Sequence, residues 1–176
     1  MTGAGTAVEL SVVAPVYDER ENLDALVDEL VRTLDAAALQ FEILLVDDGS
    51  TDGSSARIAE LARASAGRVR GIHFRANRGQ TAAFDAGFRA ARGRVVVTID
   101  ADLQNDPRDI PRLLAALEGY DAAVGYRRAR EDAWPRRAGR SKYGLADRAL
   151  HAFVDLLAVR WMSKRRLGYE VVRHDL

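Results

Sequence analysis

The stretch VVVTIDADLQNDP, Val95 to Pro107, runs five apolar or β-branched residues straight into a series of carboxylates and amides. A continuous apolar run of this length suits a strand covered on both faces, and strands of that kind belong to parallel sheets. The carboxylates then fall at the strand's carboxyl end. In an extended chain Asp100 and Asp102 point the same way, so their mutual repulsion calls for a counter-charge: a metal ion, an arginine or water.

Working outward from this stretch, ELSVVAP, FEILLVDD, RVRGIHF and YDAAVGYR are further strand candidates of the same apolar kind. Between the first two, Leu23, Leu26, Val27, Leu30, Val31 and Leu34 keep the spacing of an amphipathic helix, with Asp18 and Glu21 placed to cap its start. Further helices are expected over 54–64, over 81–91 with Gly93 as the stop, and after Asp109, where Pro111 fits the first turn and Ile110, Leu113, Leu114 and Leu117 face inward. This β-α alternation predicts an α/β fold, a mostly parallel open sheet with helices on both faces and right-handed crossovers. Ligands of such sheets bind beyond the carboxyl ends of the strands, where strand order reverses.

The 176 residues suit one ordinary domain, with 48% hydrophobic residues for a core. Without cysteine there are no disulfides, no thiolate catalysis and no cysteine-based zinc site. The opening MTGAGTAVEL has neither a basic region nor an apolar core of the signal-peptide kind, and no apolar run approaches the roughly 20 residues needed to span a bilayer. A cytoplasmic location is therefore expected, with peripheral contact at the membrane. The formal net charge of zero conceals a division: Arg127–Leu176 holds 13 Lys/Arg against 6 Asp/Glu, so the tail is basic and the body acidic.

Asp100, Asp102 and Gln104 place three oxygen donors at i, i+2 and i+4, a set that suits Mg²⁺ or Mn²⁺. An isolated Asp-x-Asp serves equally well as a helix cap; its position after an apolar strand favours metal or phosphate chemistry. In VDDGSTDGS, Ser50, Thr51 and Asp52 suffice as turn and cap, whereas Asp47 and Asp48 are harder to explain that way. A carboxylate there can accept from a nucleobase N–H or a ribose hydroxyl. Pro15, Tyr17 and Glu19 end the first strand, and Asn77, Arg78 and Gly79 precede a helix whose N-terminus favours a diphosphate, although either loop alone also reads as structural. His73, His151 and His174 lack metal-ligand spacing and read as structural or surface residues. No Walker loop, nucleophile elbow or Gly-x-Gly-x-x-Gly is present. A helix over 145–166 with an apolar face, Trp161 and the basic cluster Lys164-Arg165-Arg166 suits either the bilayer interface or packing on the sheet. Sparse aromatic residues argue against nucleic acid as a partner.

In their order, VVAPVYDERENL, EILLVDDGSTDGS, NRGQTAAFDAGFRAARG, IDADLQNDPRDIPRLL and DAAVGYR resemble the family 2 glycosyltransferases of the GT-A fold, in particular the polyprenyl-phosphate sugar transferases. The resemblance implies that Pro15, Tyr17, Glu19, Asp47, Asp48, Asn77, Arg78, Gly79 and Asp100 line a nucleotide-sugar pocket. It implies a Mg²⁺ or Mn²⁺ ion held by Asp100, Asp102 and Gln104 against the diphosphate, with Asp102 and Arg127 as catalytic residues. RRAGRSKYG resembles an acceptor-side element and implies acceptor contacts from Arg137, Ser141 and Lys142. In the family several tens of residues precede that element, whereas here only Arg128 to Pro135 intervene, which implies an internal deletion. The expected division is a donor domain over 8–127 and a basic linker with an amphipathic helix over 128–176.

The function this implies is transfer of a sugar from a nucleoside-diphosphate donor to polyprenyl phosphate, by metal-assisted displacement that inverts the anomeric centre. A phosphate acceptor is already anionic at neutral pH and needs no strong base, which suits a site without a catalytic histidine. Two rivals remain at this level: a non-catalytic nucleotide-sugar-binding remnant, and a Mg²⁺-dependent phosphoacceptor domain. The second lacks the expected lysine at the end of strand five.

Overall fold

The computed structural model describes residues 8–125 and 171–175. Four parallel strands, β1 (Leu10–Val16), β2 (Phe41–Asp47), β3 (Val69–Phe74) and β4 (Val95–Thr98), alternate with α1 (Leu23–Ala36), α2 (Ser54–Ala64) and α3 (Gln80–Ala90). A short 3₁₀ turn, Pro107–Asp109, leads into α4 (Ile110–Ala116), and β5 (Val171–Asp175) follows later. The sheet order is β4-β1-β2-β3-β5, with β5 antiparallel to β3. Strand order therefore reverses between β1 and β4, the position at which sheets of this kind form a crevice beyond the strand ends.

The apolar strands are covered on both faces. On one, Leu23, Leu26, Val27, Leu30 and Leu34 of α1, Ile58 of α2 and Ile110 of α4 pack with Val12, Ala14, Ile43 and Leu45. Each such leucine contributes roughly 1.5–3 kcal/mol on burial. On the other, α3 lays Ala82, Ala83 and Ala86 on Val13, Leu44, Val46, Ile72 and Phe74. Small residues let α3 sit close: a Cβ on Gly87 would collide with the γ carbons of Val13.

Pro15 is accommodated by the shortness of β4. Val13 accepts from the Ile99 N–H at 3.1 Å, and Pro15, two residues on, faces the same side past the last β1–β4 pair, Val13 with Thr98. Its missing N–H removes no ladder bond.

Three expectations change. Asp18 does not cap α1: Asn22 holds the cap position without a side-chain cap bond, and Asp18 accepts instead from the Thr51 N–H at 2.7 Å. Over 120–125, where a strand was expected, the chain is irregular and largely exposed, without a sheet neighbour among the described residues. Leu113, Leu114 and Leu117 are only half-buried, leaving Ile110 as the deep anchor of α4. The short strand expected in GYEVVRHDL is β5. The helix expected over 145–166, His151 and the shortened stretch Arg128–Pro135 lie outside the described residues.

Candidate functional site

The loops after β1, β2, β3 and β4 meet at one end of the sheet, and a run of hydrogen bonds laces each to the next. From the β1 loop, the Asp18 N–H donates to Ser50 Oγ at 3.0 Å, the Glu19 N–H to Ser54 Oγ at 3.2 Å and the Arg20 N–H to Asp52 Oδ2 at 3.0 Å. The β2 loop reaches the β3 loop through Asp48, whose two oxygens accept from the N–H groups of Arg78 at 2.6 Å and Gly79 at 2.9 Å. From the head of α3, Gln80 Nε2 donates to Asp100 Oδ1 at 2.9 Å, which closes the rim on the β4 loop.

Asp47 and Asp48 are both buried, and both anchor backbone. Asp47 Oδ1 accepts from the Ser50 N–H at 2.9 Å, tying the Asp47–Ser50 turn, and Oδ2 lies 3.2 Å from His73 Nδ1. Burial alone would push the Asp47 carboxyl up, but the hydrogen bonds from His73 and Ser50 outweigh it and hold the group below its ordinary value. Asp48 goes the other way. Burial, with the neighbouring Asp47 charge, raises it more than the two backbone donors lower it. Asp47 thus ties its own turn to β3 and Asp48 braces the β2 loop to the β3 loop, and each oxygen retains further acceptor capacity. Asp48 takes up backbone donors just ahead of α3 that the sequence reading reserved for a diphosphate.

Glu19 is half-buried and accepts from Asn22 Nδ2 at 2.7 Å. Pro15 and Tyr17 are half-buried at the same corner, and Asn77 and Arg78 are exposed in the β3 loop.

The stretch at Asp100 is a turn, not a strand. Leu103 holds a positive φ of 61° and is nonetheless buried in the core beneath the loop. A leucine in that region is strained, and such strain concentrates at functional loops. The expectation that Asp100 and Asp102 share one side of an extended chain thus fails on backbone grounds; a turn anchored by Leu103 brings them to the rim instead. Asp100 is exposed and accepts from Gln80 and, at 3.4 Å, from Asn105 Nδ2. Asp102 Oδ1 accepts from the Gln104 N–H at 3.0 Å, and Asp102 and Gln104 are half-buried. Among the described residues no three His, Cys, Asp or Glu side chains gather as a metal cage. Two carboxylates and a glutamine amide oxygen are nevertheless hard donors of the kind Mg²⁺ or Mn²⁺ accepts when phosphate and water complete the shell, so the donor set fits the ion. Arg127, Arg137, Ser141 and Lys142 lie outside the described residues.

Sequence reasoning missed Gln80, Asn105, Asn22 and the role of Asp18. Gln80 is visible as the residue after Gly79 at a helix start, but its partner Asp100 lies 20 residues away and nothing local announces it. No helix among the described residues is long and apolar enough to cross a membrane.

Comparison with known proteins adds independent findings. The family model described as "Glycosyl transferase family 2" matches residues 11–170. The undecaprenyl-phosphate 4-deoxy-4-formamido-L-arabinose transferases of Aeromonas hydrophila subsp. hydrophila and Edwardsiella ictaluri are each 44% identical, over 129 and 141 residues, covering 73% and 79% of this chain and 40% and 43% of theirs. The chain thus spans less than half the length of these relatives. A solved mannosyltransferase from Pyrobaculum calidifontis, in complex with GDP-Man and Mn²⁺, is 25% identical with a TM-score of 0.51, covering 60% of this chain and 30% of that one.

Proposed function

Since the chain belongs to glycosyl transferase family 2, we propose that it binds a nucleoside-diphosphate sugar in the crevice between β1 and β4 and passes the sugar to polyprenyl phosphate. The observation that carries this reading is the laced rim, because it brings Asp100 and Asp102 to the same strand ends as Tyr17, Glu19 and Asp47. The donor region is 8–127. Pro15 and Tyr17 frame the base, Glu19 and Asp47 accept from base or ribose, and Asp48 holds the Asn77–Gly79 loop against the phosphates.

Asp100, Asp102 and Gln104 would hold Mg²⁺ or Mn²⁺, with Gln80 and Asn105 steadying Asp100 from outside. When bound, such an ion neutralises charge on the departing diphosphate. Asp102 keeps its carboxylate aimed through the bond from the Gln104 N–H. The acceptor phosphate carries its own negative charge, so the chain needs to orient it rather than deprotonate it. Arg127, Arg137, Ser141 and Lys142 supply that orientation, and the basic region 128–176 holds the anionic acceptor at the membrane face. The 44% identical relatives, which are undecaprenyl-phosphate sugar transferases, support the polyprenyl-phosphate assignment.

Calorimetric titration with UDP- and GDP-sugars tests the reading. Binding of one class is expected to depend on Mn²⁺ and to disappear in Asp102→Ala, while Gln80→Ala weakens the Mn²⁺ dependence by about tenfold. Absence of metal-dependent binding to either class removes the proposal. A second reading, donor binding without turnover, is favoured by the short Arg128–Pro135 stretch; it is distinguished by supplying a short polyprenyl phosphate and following labelled sugar into the lipid phase.

A further inference from the structure

His73, on β3, is 2% exposed and meets three other elements at once. Its Nδ1 lies 2.9 Å from the Ser55 hydroxyl in the first turn of α2 and 3.2 Å from Asp47 Oδ2 at the end of β2. Its Nε2 lies 2.6 Å from Asp175 Oδ2 at the end of β5, 102 residues along the chain. A histidine that merely fills core space needs one partner to settle its ring. Here each ring nitrogen faces a carboxylate, Asp47 on one side and Asp175 on the other.

The surrounding backbone is shaped for this contact. Gly71 stands opposite Asp175 in the β3–β5 ladder and two residues before His73 on the same face. A Cβ there would come within 2.6 Å of Ile58 Cγ2 and 2.8 Å of both Asp175 Oδ2 and His73 Nε2, so the glycine leaves room both for α2 and for the diagonal bond. The ladder also slips register between His73 and Phe74, an irregularity of the kind that re-aims a side chain.

We propose that His73 is a positioning residue for the nucleotide site: with Asp175 steadying its far nitrogen, it fixes the orientation of the Asp47 carboxylate that faces a nucleoside diphosphate. The inference rests on the reading of Asp47 given above. His73 is not a catalytic residue, since it acts through Asp47. Asp47 is gripped from two sides, by the Ser50 N–H of its own turn and by His73 from the neighbouring strand. Without His73 the carboxylate is held only from its own turn, by the Ser50 N–H and hydroxyl, and loses its one tie to the neighbouring strand.

The test uses the full chain, with UDP and GDP each titrated in Mn²⁺. His73→Leu is expected to weaken nucleotide binding about tenfold and Asp175→Ala about threefold, on the scale of a lost hydrogen bond to a charged group. His73→Asn places an amide donor near the Nδ1 position and is expected to bind within about twofold of the native chain; His73→Gln reaches toward Asp175 instead and does not rescue. Glu42→Gln, at the opposite end of the sheet, serves as the control that lowers the melting temperature without changing nucleotide affinity. Native affinity in both His73→Leu and Asp175→Ala overturns the inference, as does equal loss in His73→Asn and His73→Gln. Should His73→Leu fail to fold, Asp175→Ala alone decides. If the native chain binds neither UDP nor GDP, the underlying reading of the site fails first; if it binds one and the variants match it, only the role of His73 falls.

Discussion

At the scale of single residues, Gly49 shows how little freedom the rim has. Its φ is +72°, and a Cβ there would lie 2.5 Å from the carbonyl carbon of Ala76 and 2.6 Å from the nitrogen of Asn77. These are backbone atoms of the next loop, which cannot step aside as a side-chain tip does. Gly49→Ala therefore combines left-handed strain with a forced loop displacement, and is expected to cost about 2–4 kcal/mol in urea unfolding. Because the displaced loop is the one Asp48 holds, nucleotide affinity is expected to fall as well. The glycine was legible in the sequence as a turn residue. Its second duty, allowing one loop to touch another, was not.

At the scale of elements, β2 and β3 share a buried ion pair far from the rim. Glu42, 2% exposed, accepts from Arg70 Nη1 at 2.7 Å, from Ser11 Oγ at 2.7 Å and from the Arg92 N–H at 2.6 Å. It thereby ties the end of α3 to three strands. Removing one partner leaves the other charge buried, so Glu42→Gln is expected to cost about 3–5 kcal/mol in the same unfolding experiment. The pH dependence follows. Burial would raise the Glu42 carboxyl, but the bonds from Ser11, Arg70 and Arg92 outweigh it and lower it from an ordinary 4.5; Asp47 is likewise lowered from 3.8. A group lowered in the fold adds stability above its unfolded value and loses it as pH falls through the folded one. Acid destabilisation should thus set in below about pH 4.5 and deepen below 3.8. Asp48, raised by burial, works in the opposite sense, its contribution being full below 3.8 and lost as pH rises through its folded value. Urea midpoints measured from pH 6 downward check the sign, and Glu42→Gln should flatten the curve.

At the scale of the molecule, the sheet is unequal across its width. β1, β2 and β3 are buried almost throughout, whereas β4 alternates between half-buried and exposed, with Val96 39% exposed. The N–H groups of Val95 and Ile99 donate to Glu9 and Val13 on β1's side, so those of Val96 and Thr98 face the outer edge, which has no partner among the described residues. Amide exchange followed by NMR should find Val96 and Thr98 exchanging faster than Val95 and Ile99. The rim behaves differently, because its loops are braced to one another through side chains. On the function proposed above, a ligand at one loop would therefore have a physical route to the others.

What the sequence determined by itself is the order and kind of the elements from β1 to α4. Strands covered on both faces are apolar at nearly every position, and helices lying on them repeat their apolar residues every three or four residues, so a local pattern carries both statements. It also placed the charged clusters at the strand ends, since such clusters directly after apolar runs have nowhere else to go. Only the tertiary structure decided how those charges are used. Asp48 reaches the Arg78–Gly79 backbone, Gln80 reaches Asp100 and His73 reaches Asp175 across 30, 20 and 102 residues. Contacts that close long loops leave no periodic mark, because each depends on a single side chain meeting a neighbour that only the folded sheet brings near. The turn at Leu103 is of the same kind: its strained backbone is held by the core beneath it.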